Sequence, residues 1–142
     1  MKKDVLISIK GVQVVDGESD SVELFTTGSY YKKGGHYYIS YQESEATGFE
    51  GTRTTLKVED ENKVTMLRSG KNPSQLIVEK GRRNQCHYGT DVGSMLIGVS
   101  GDRIVSRLTD QGGDLEFKYS LDINTSLASE NEVFIKIKEC VK

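Results

Sequence analysis

The chain of 142 residues carries 19 basic and 21 acidic side chains, for a formal net charge of −2 at pH 7. This near balance, without a long run of either sign, argues against a nucleic acid or an anionic membrane as the main partner. The length predicts a single domain over residues 1–142, large enough to bury about 70% of its unfolded surface.

Short apolar stretches with a period of two recur along the chain. They are visible at residues 5–9, 37–41, 115–123 and 133–137. A period of two is that of a strand with one buried face, and no window has the i, i+3, i+4, i+7 spacing of an amphipathic helix. The pattern therefore predicts an all-β protein.

The first predicted strand changes its inward phase. Its apolar residues stand at odd positions in residues 5–9 and at even positions from Val12 to Val14, on either side of Lys10 and Gly11. Such a change is typical of a β-bulge at a glycine. We predict a bulge at this point.

Nothing in the sequence indicates export or membrane insertion. The apolar stretch after Lys2 and Lys3 is broken by Ser8 and Lys10 and lacks a small-residue cleavage site. No apolar run approaches the ~20 residues that span a bilayer. The two cysteines are too few for a disulfide framework, so we expect free thiols and a cytoplasmic protein.

Turn-forming clusters separate the predicted strands at intervals of roughly 10–15 residues. They lie at residues 16–17, 33–35, 48–51, 60–62, 70–74, 81–84, 101–102 and 111–114. Because closure removes the exposed edges of an open meander, we predict an antiparallel up-and-down (meander) β-barrel of about 8–10 strands. A sandwich of two sheets stays open as the alternative.

Several segments of the chain resemble one known family. They are YISYQESE, GTRTTLKVED, VTMLRSG, CHYGTDVGSM and EFKYSLDINTSLASENEVFIKIKE. Over nearly the whole chain, and in the same order, they are similar to the YwiB-like family of small bacterial proteins, whose function is not established. The resemblance implies a calycin-like, lipocalin-type barrel in a bacterial cytoplasm, and it implies no activity. This chain departs from the family at Thr90-Asp91-Val92-Gly93, where the family usually has Thr-Pro-Tyr-Gly, and it has no tryptophan.

Two predicted apolar stripes end in charges of opposite sign. Continuing the alternation of residues 37–41 places Glu43 on the inner face, and continuing that of residues 64–66 places Arg68 there. Buried charges are tolerated chiefly when they are paired. We therefore predict that Glu43 and Arg68 face each other inside the barrel.

Three hydroxyl groups are candidate neighbours of this pair, those of Tyr41, Thr54 and Tyr119. All five residues form a candidate ligand-binding site, because a few convergent polar groups in an apolar pocket suit a small molecule, and an arginine suits a carboxylate or phosphate. The Tyr-x-Glu and Leu-x-Arg-x-Gly patterns of the family fall on the same glutamate and arginine. Two other interpretations stay open: both charges reach solvent at the barrel mouth, or they form a purely structural pair.

No catalytic or metal-binding constellation is visible in the sequence. His36 and His87 are the only histidines, which leaves little scope for a nucleophile and base. Neither CxxC nor HxxxH spacing occurs, and the adjacent Cys86 and His87 project to opposite faces of a predicted strand. We expect a non-enzymatic protein without metal or cofactor.

Basic loop tips support an alternative function, an interaction module for protein or RNA. Lys80, Arg82 and Arg83 form one compact cluster, and Lys32 and Lys33 lie beside tyrosines in another predicted hairpin. Such residues also keep strand edges soluble, and strands favour tyrosine in any case. We prefer a small-molecule ligand in the barrel, expect no membrane partner, consider nucleic acid a poor fit as a partner, and leave the oligomeric state, monomer or dimer, open.

Overall fold

The computed structural model describes residues 2–43, 50–59, 62–70, 73–90 and 93–140. In these residues the backbone forms ten β-strands, and no helix there is long and apolar enough to cross a membrane. The strands are β1 Lys2–Val15, β2 Glu18–Lys33, β3 His36–Gln42, β4 Thr52–Glu59, β5 Lys63–Gly70, β6 Ser74–Glu79, β7 Arg83–Thr90, β8 Gly93–Thr109, β9 Gly112–Ile123 and β10 Ser126–Glu139. The prediction of an all-β fold with eight to ten strands is confirmed.

The strands close into a barrel. Each is antiparallel to the next from β1 to β10, and β10 returns to pair with β1. Val5 on β1, for example, lies opposite Gly28 on β2 and Glu139 on β10. The topology is therefore the predicted up-and-down meander, and the two-sheet sandwich is excluded.

Two-residue turns set the register of the first hairpins. Asp16 and Gly17, between β1 and β2, have φ angles of 52° and 78°. Gly34 and Gly35, between β2 and β3, have φ angles of 60° and 83°. Positive φ at both central residues is the requirement of a type I′ turn, whose twist matches that of the flanking strands. The turn residues thus fix which side chains of β1 to β3 share the inner face.

Apolar side chains from all ten strands fill most of the lumen. The most deeply buried include Val5, Tyr30, Ile39, Leu56, Val64, Leu76, Val78, Val99, Leu115, Phe117 and Ile135. At one end of the barrel the ring of Tyr30 stacks on that of Tyr37, with centroids 5.2 Å apart, and its hydroxyl donates to the carbonyl of Thr109 at 2.8 Å. These two tyrosines, which we call the tyrosine plug, lie at that end.

The predicted bulge in the first strand is wrong. β1 keeps a continuous register with both of its neighbours, and Gly11 lies opposite Val22 on β2 and Val133 on β10. Val12 and Val14 are half-buried residues of the outer face. Apolar residues on both faces of one regular strand produced the apparent change of phase.

The predicted turn at Gly101 and Asp102 is also wrong. β8 continues through it as a strand of 17 residues, with a register irregularity against β9 between Gly101 and Arg103. The glycine serves close packing, since a Cβ at Gly101 would overlap the backbone carbonyl of Glu79 on β6. The amide of Gly101 also donates to the carbonyl of Arg82, at 3.2 Å.

Candidate functional site

A pocket of about 150 Å³ lies inside the barrel, away from the tyrosine plug. We call it the lumen pocket. It is lined by Ile9, Gly11, Val22, Leu24, Tyr41, Glu43, Met66, Arg68, Tyr119 and Val133. Four of these, Ile9, Val22, Leu24 and Val133, come from β2, β1 and β10 and form an apolar wall. The polar residues come from β3, β5 and β9 and, for Glu43, from the position directly after β3.

Strand pairing brings the predicted polar residues together. Tyr41 on β3 lies directly opposite Thr54 on β4, which lies directly opposite Arg68 on β5. Side chains of directly opposite residues have Cβ atoms about 5 Å apart. Glu43 shares the inner face with Tyr41 two residues earlier, and its amide donates to the carbonyl of Thr52 at 2.8 Å. Three neighbouring strands, together with the residue directly after β3, thus supply four of the five predicted site residues.

Glu43 and Arg68 form an ion pair inside the barrel. The Nε atom of Arg68 lies 3.8 Å from Oε2 of Glu43, and the side chains are 12% and 2% exposed. The hydroxyl of Thr54 donates a hydrogen bond to the same carboxylate oxygen. The structure therefore places both charges face to face in the lumen, as the alternation predicts. Glu43 does not reach solvent, contrary to the barrel-mouth alternative, whereas Arg68 keeps slight contact with it.

Two buried phenols face this pair. Burial raises the pKa of Tyr41, the nearby charge of Glu43 raises it further, and the positive charge of Arg68 opposes both effects. Burial likewise raises the pKa of Tyr119, against the opposing charge of Arg68. Because the usual phenol pKa is already about 10, both hydroxyl groups stay protonated at neutral pH and can donate hydrogen bonds.

Some contributors to the site were missed in the sequence analysis. Tyr88 on β7 is half-buried, pairs with Ser74 on β6, and lies close enough to Tyr119 to raise its pKa. The alternation from the buried Cys86 indicates an inward Tyr88, so this signal was available. The apolar wall had no such signal, because its members meet only through the pairing of β1 with β2 and β10.

Two of the three residues in the predicted basic cluster form ion pairs. Arg83 donates to both carboxylate oxygens of Asp122, at 2.9 Å from Nε and 2.7 Å from Nη2. This contact raises the pKa of Arg83 and holds the pKa of the Asp122 carboxyl below its usual range. Arg82 approaches Glu79 at 3.9 Å, while Lys80 is exposed. A role for this cluster in partner binding stays a prediction.

The second predicted interaction surface, Lys32 and Lys33, lies near the tyrosine plug. The Nζ atom of Lys32 lies 5.3 Å from the ring centroid of Tyr37, a cation–π arrangement, and Lys33 is exposed. On the outer face, Tyr31 stacks on Tyr38 with ring centroids 5.0 Å apart. These tyrosines therefore stack on each other across neighbouring strands, and a role for Lys32 and Lys33 in partner binding stays a prediction.

The histidine and cysteine side chains lie apart from the lumen pocket. Cys86 is buried and His87 exposed, which agrees with their predicted opposite faces. The thiol of Cys86 accepts a hydrogen bond from the amide of Ile77 at 3.3 Å, and burial raises its pKa. No three His, Cys, Asp or Glu side chains converge on a possible metal site within the ranges that the structure describes. Asp91 and Val92, where the chain departs from the family pattern, lie outside those ranges.

Together, the fold and the pocket define a closed ten-stranded β-barrel protein with a buried ion pair in its lumen. A family model described as Domain of unknown function (DUF1934) matches residues 7–135, and the chain belongs to this family.

Two comparisons with individual proteins agree. The chain is 28% identical over 119 residues to the uncharacterized beta-barrel protein YwiB of Bacillus subtilis (strain 168), covering 84% of this chain and 82% of YwiB. The crystal structure of the ywiB protein from Bacillus subtilis matches with a TM-score of 0.86 at 22% identity, over 99% of this chain and 94% of that one. The resemblance to the YwiB-like family is confirmed, and the role of the family is unknown.

Proposed function

We propose that the protein is a non-enzymatic barrel that binds a small molecule in the lumen pocket, with Arg68 contacting an anionic group. One observation carries the proposal: a pocket of about 150 Å³ is lined by two opposite charges and two phenols beside apolar side chains. Apolar cavities with few convergent polar groups are typical ligand sites. Lipocalins use a barrel lumen in this calycin-like way, to hold one small ligand.

The cost of burying the charges supports a binding role. Replacing a buried ion pair by well-packed apolar side chains is often neutral or stabilising by about 1–4 kcal/mol. Stability alone is therefore a weak reason for Glu43 and Arg68 to stand among apolar neighbours such as Met66. A polar ligand that uses both groups supplies a stronger reason.

Thermal melting against a panel of metabolites tests the proposal. Free Cys86 and Cys140 agree with a reducing, cytoplasmic setting, so the panel consists of cytosolic carboxylates, phosphates and amino compounds. A ligand at a hundred times its Kd stabilises the folded state by about 2.7 kcal/mol. We expect Arg68→Ala to abolish the shift and Arg53→Ala, an exposed arginine on β4, to retain it. The absence of any shift with the native protein contradicts the proposal.

A second candidate function is a protein-interaction module that uses the outer surface. A groove of about 880 Å³ crosses the outside of β1, β2, β9 and β10, beside Phe25 and Leu6, which are 76% and 48% exposed. Exposed apolar patches often contact other proteins. A partner that is lost with Phe25→Ser and retained with Arg68→Ala supports this candidate, and equal retention by both variants contradicts it.

A further inference from the structure

The lining of the lumen pocket is balanced in charge. Glu43 and Arg68 are the charged residues among its described lining, and they stand 3.8 Å apart. A bound monoanion leaves this site with a net negative charge, and a bound amine leaves it with a net positive charge. Both are unfavourable in surroundings of low polarity. A molecule that carries one positive and one negative charge adds no net charge to the site.

The same two residues offer complementary partners for such a molecule. The planar guanidinium of Arg68 matches a carboxylate in geometry and charge. The carboxylate of Glu43 has about four lone-pair positions on its two oxygens and accepts hydrogen bonds from an ammonium group. The phenol of Tyr119 lines the same space and can donate a hydrogen bond to a ligand carboxylate.

The remaining lining and the volume restrict the rest of the ligand. The apolar wall is made of aliphatic side chains, and three of its members, Ile9, Leu24 and Val133, pack against the core. A cavity of about 150 Å³ lined by aliphatic groups holds a molecule of the size of benzene. This space suits a short branched aliphatic group.

We infer that the lumen pocket binds a small aliphatic zwitterion, with the chemistry of a free aliphatic amino acid. The carboxylate of the ligand lies at Arg68 and its ammonium group at Glu43. Its aliphatic part packs against the apolar wall. The inference rests on the proposed function, because it names the ligand class of the same pocket.

Matched sets of ligands test the inference by calorimetry on the full chain. Valine and leucine are compared with isovalerate and isocaproate, which lack the amino group, and with isobutylamine and isoamylamine, which lack the carboxylate. We expect valine or leucine to bind at least about tenfold more tightly than both of its singly charged analogues, a difference of about 1.4 kcal/mol.

Two other results contradict the inference, and they differ in whether the proposed function still holds. If the carboxylates bind as tightly as the amino acids, the pocket is a simple anion site, and the proposed function survives without the zwitterion. If no compound of these sets or of the metabolite panel binds, the proposed function falls as well.

Two variants locate the binding. A Cβ at Gly11 meets no atom within 4 Å, so there is open space beside this residue for the branched side chain of Gly11→Val at the lumen pocket, in a strand that favours valine. We expect this variant to fold and to lose valine binding, whereas Lys10→Val, on the outer face of the same strand, retains it. Glu43→Gln is expected to lose the preference for valine over isovalerate. Undiminished valine binding by Gly11→Val contradicts the inference.

Discussion

Replacing Glu43 by glutamine removes one partner of the buried ion pair with little change of shape. At 3.8 Å and an effective dielectric constant of about 20, the two charges attract each other by about 4 kcal/mol. Breaking a buried pair from one side typically costs about 3–5 kcal/mol, because the other charge stays buried. The amide still accepts a hydrogen bond from Thr54, and Arg68 keeps slight contact with solvent. We therefore expect Glu43→Gln to lower the free energy of unfolding by about 3 kcal/mol.

Urea denaturation of a double-mutant cycle measures this effect. The cycle consists of Glu43→Gln, Arg68→Met and the double variant, and the double variant is expected to lose less stability than the two single losses combined. Glu23→Gln, an exposed position on β2, is the control and should change stability by no more than about 0.5 kcal/mol. If Glu43→Gln changes the free energy of unfolding by as little as the control does, the ion pair is not buried and this prediction is wrong.

Three further predictions concern close packing, thiol reactivity and alkaline pH. Gly101→Ala should destabilise the protein by about 2–3 kcal/mol, because the new Cβ meets a backbone carbonyl. In Gly98→Ala the new Cβ meets the side-chain ends of an arginine and an aspartate, which can move, so this variant should lose less than about 1 kcal/mol. Equal losses in chemical denaturation contradict this assignment. A thiol reagent at neutral pH should modify the exposed Cys140 rapidly and Cys86 only on unfolding, and two equal rates contradict the burial of Cys86. The raised pKa of Tyr41 means that the unfolded state loses this proton first, so stability should fall as the pH rises above about 10. The fall should be smaller in Tyr41→Phe, and an unchanged fall refutes this assignment.

The alternation of apolar and polar residues predicted the fold and the polar half of the pocket. Its period is local, and once residues 37–41 are placed on a strand, the inward position of Glu43 follows from counting. The same counting places Arg68 on the inner face after Val64 and Met66. Because a buried charge needs a partner, the pairing followed from two separate stretches of sequence.

The predictions of a turn at Gly101 and of a bulge in the first strand were wrong because these features depend on contacts between distant segments. A glycine such as Gly101 signals either a turn or a close approach of backbones, and only the position of Glu79 decides between them. The valines at positions 12 and 14 imitate a change of phase, although strand pairing keeps the register. The apolar wall also depends on this pairing, so the sequence did not reveal it.

Closure of the barrel by β1 and β10 has a consequence for protein synthesis. β1 leaves the ribosome before β10, which it needs as its neighbour, since Val5 pairs with Glu139. Until then the nascent chain has a free edge on β1, which can pair with strands of other chains. Chains that stop before β10 should therefore aggregate, and a chaperone that shields β1 should raise the yield of the complete barrel.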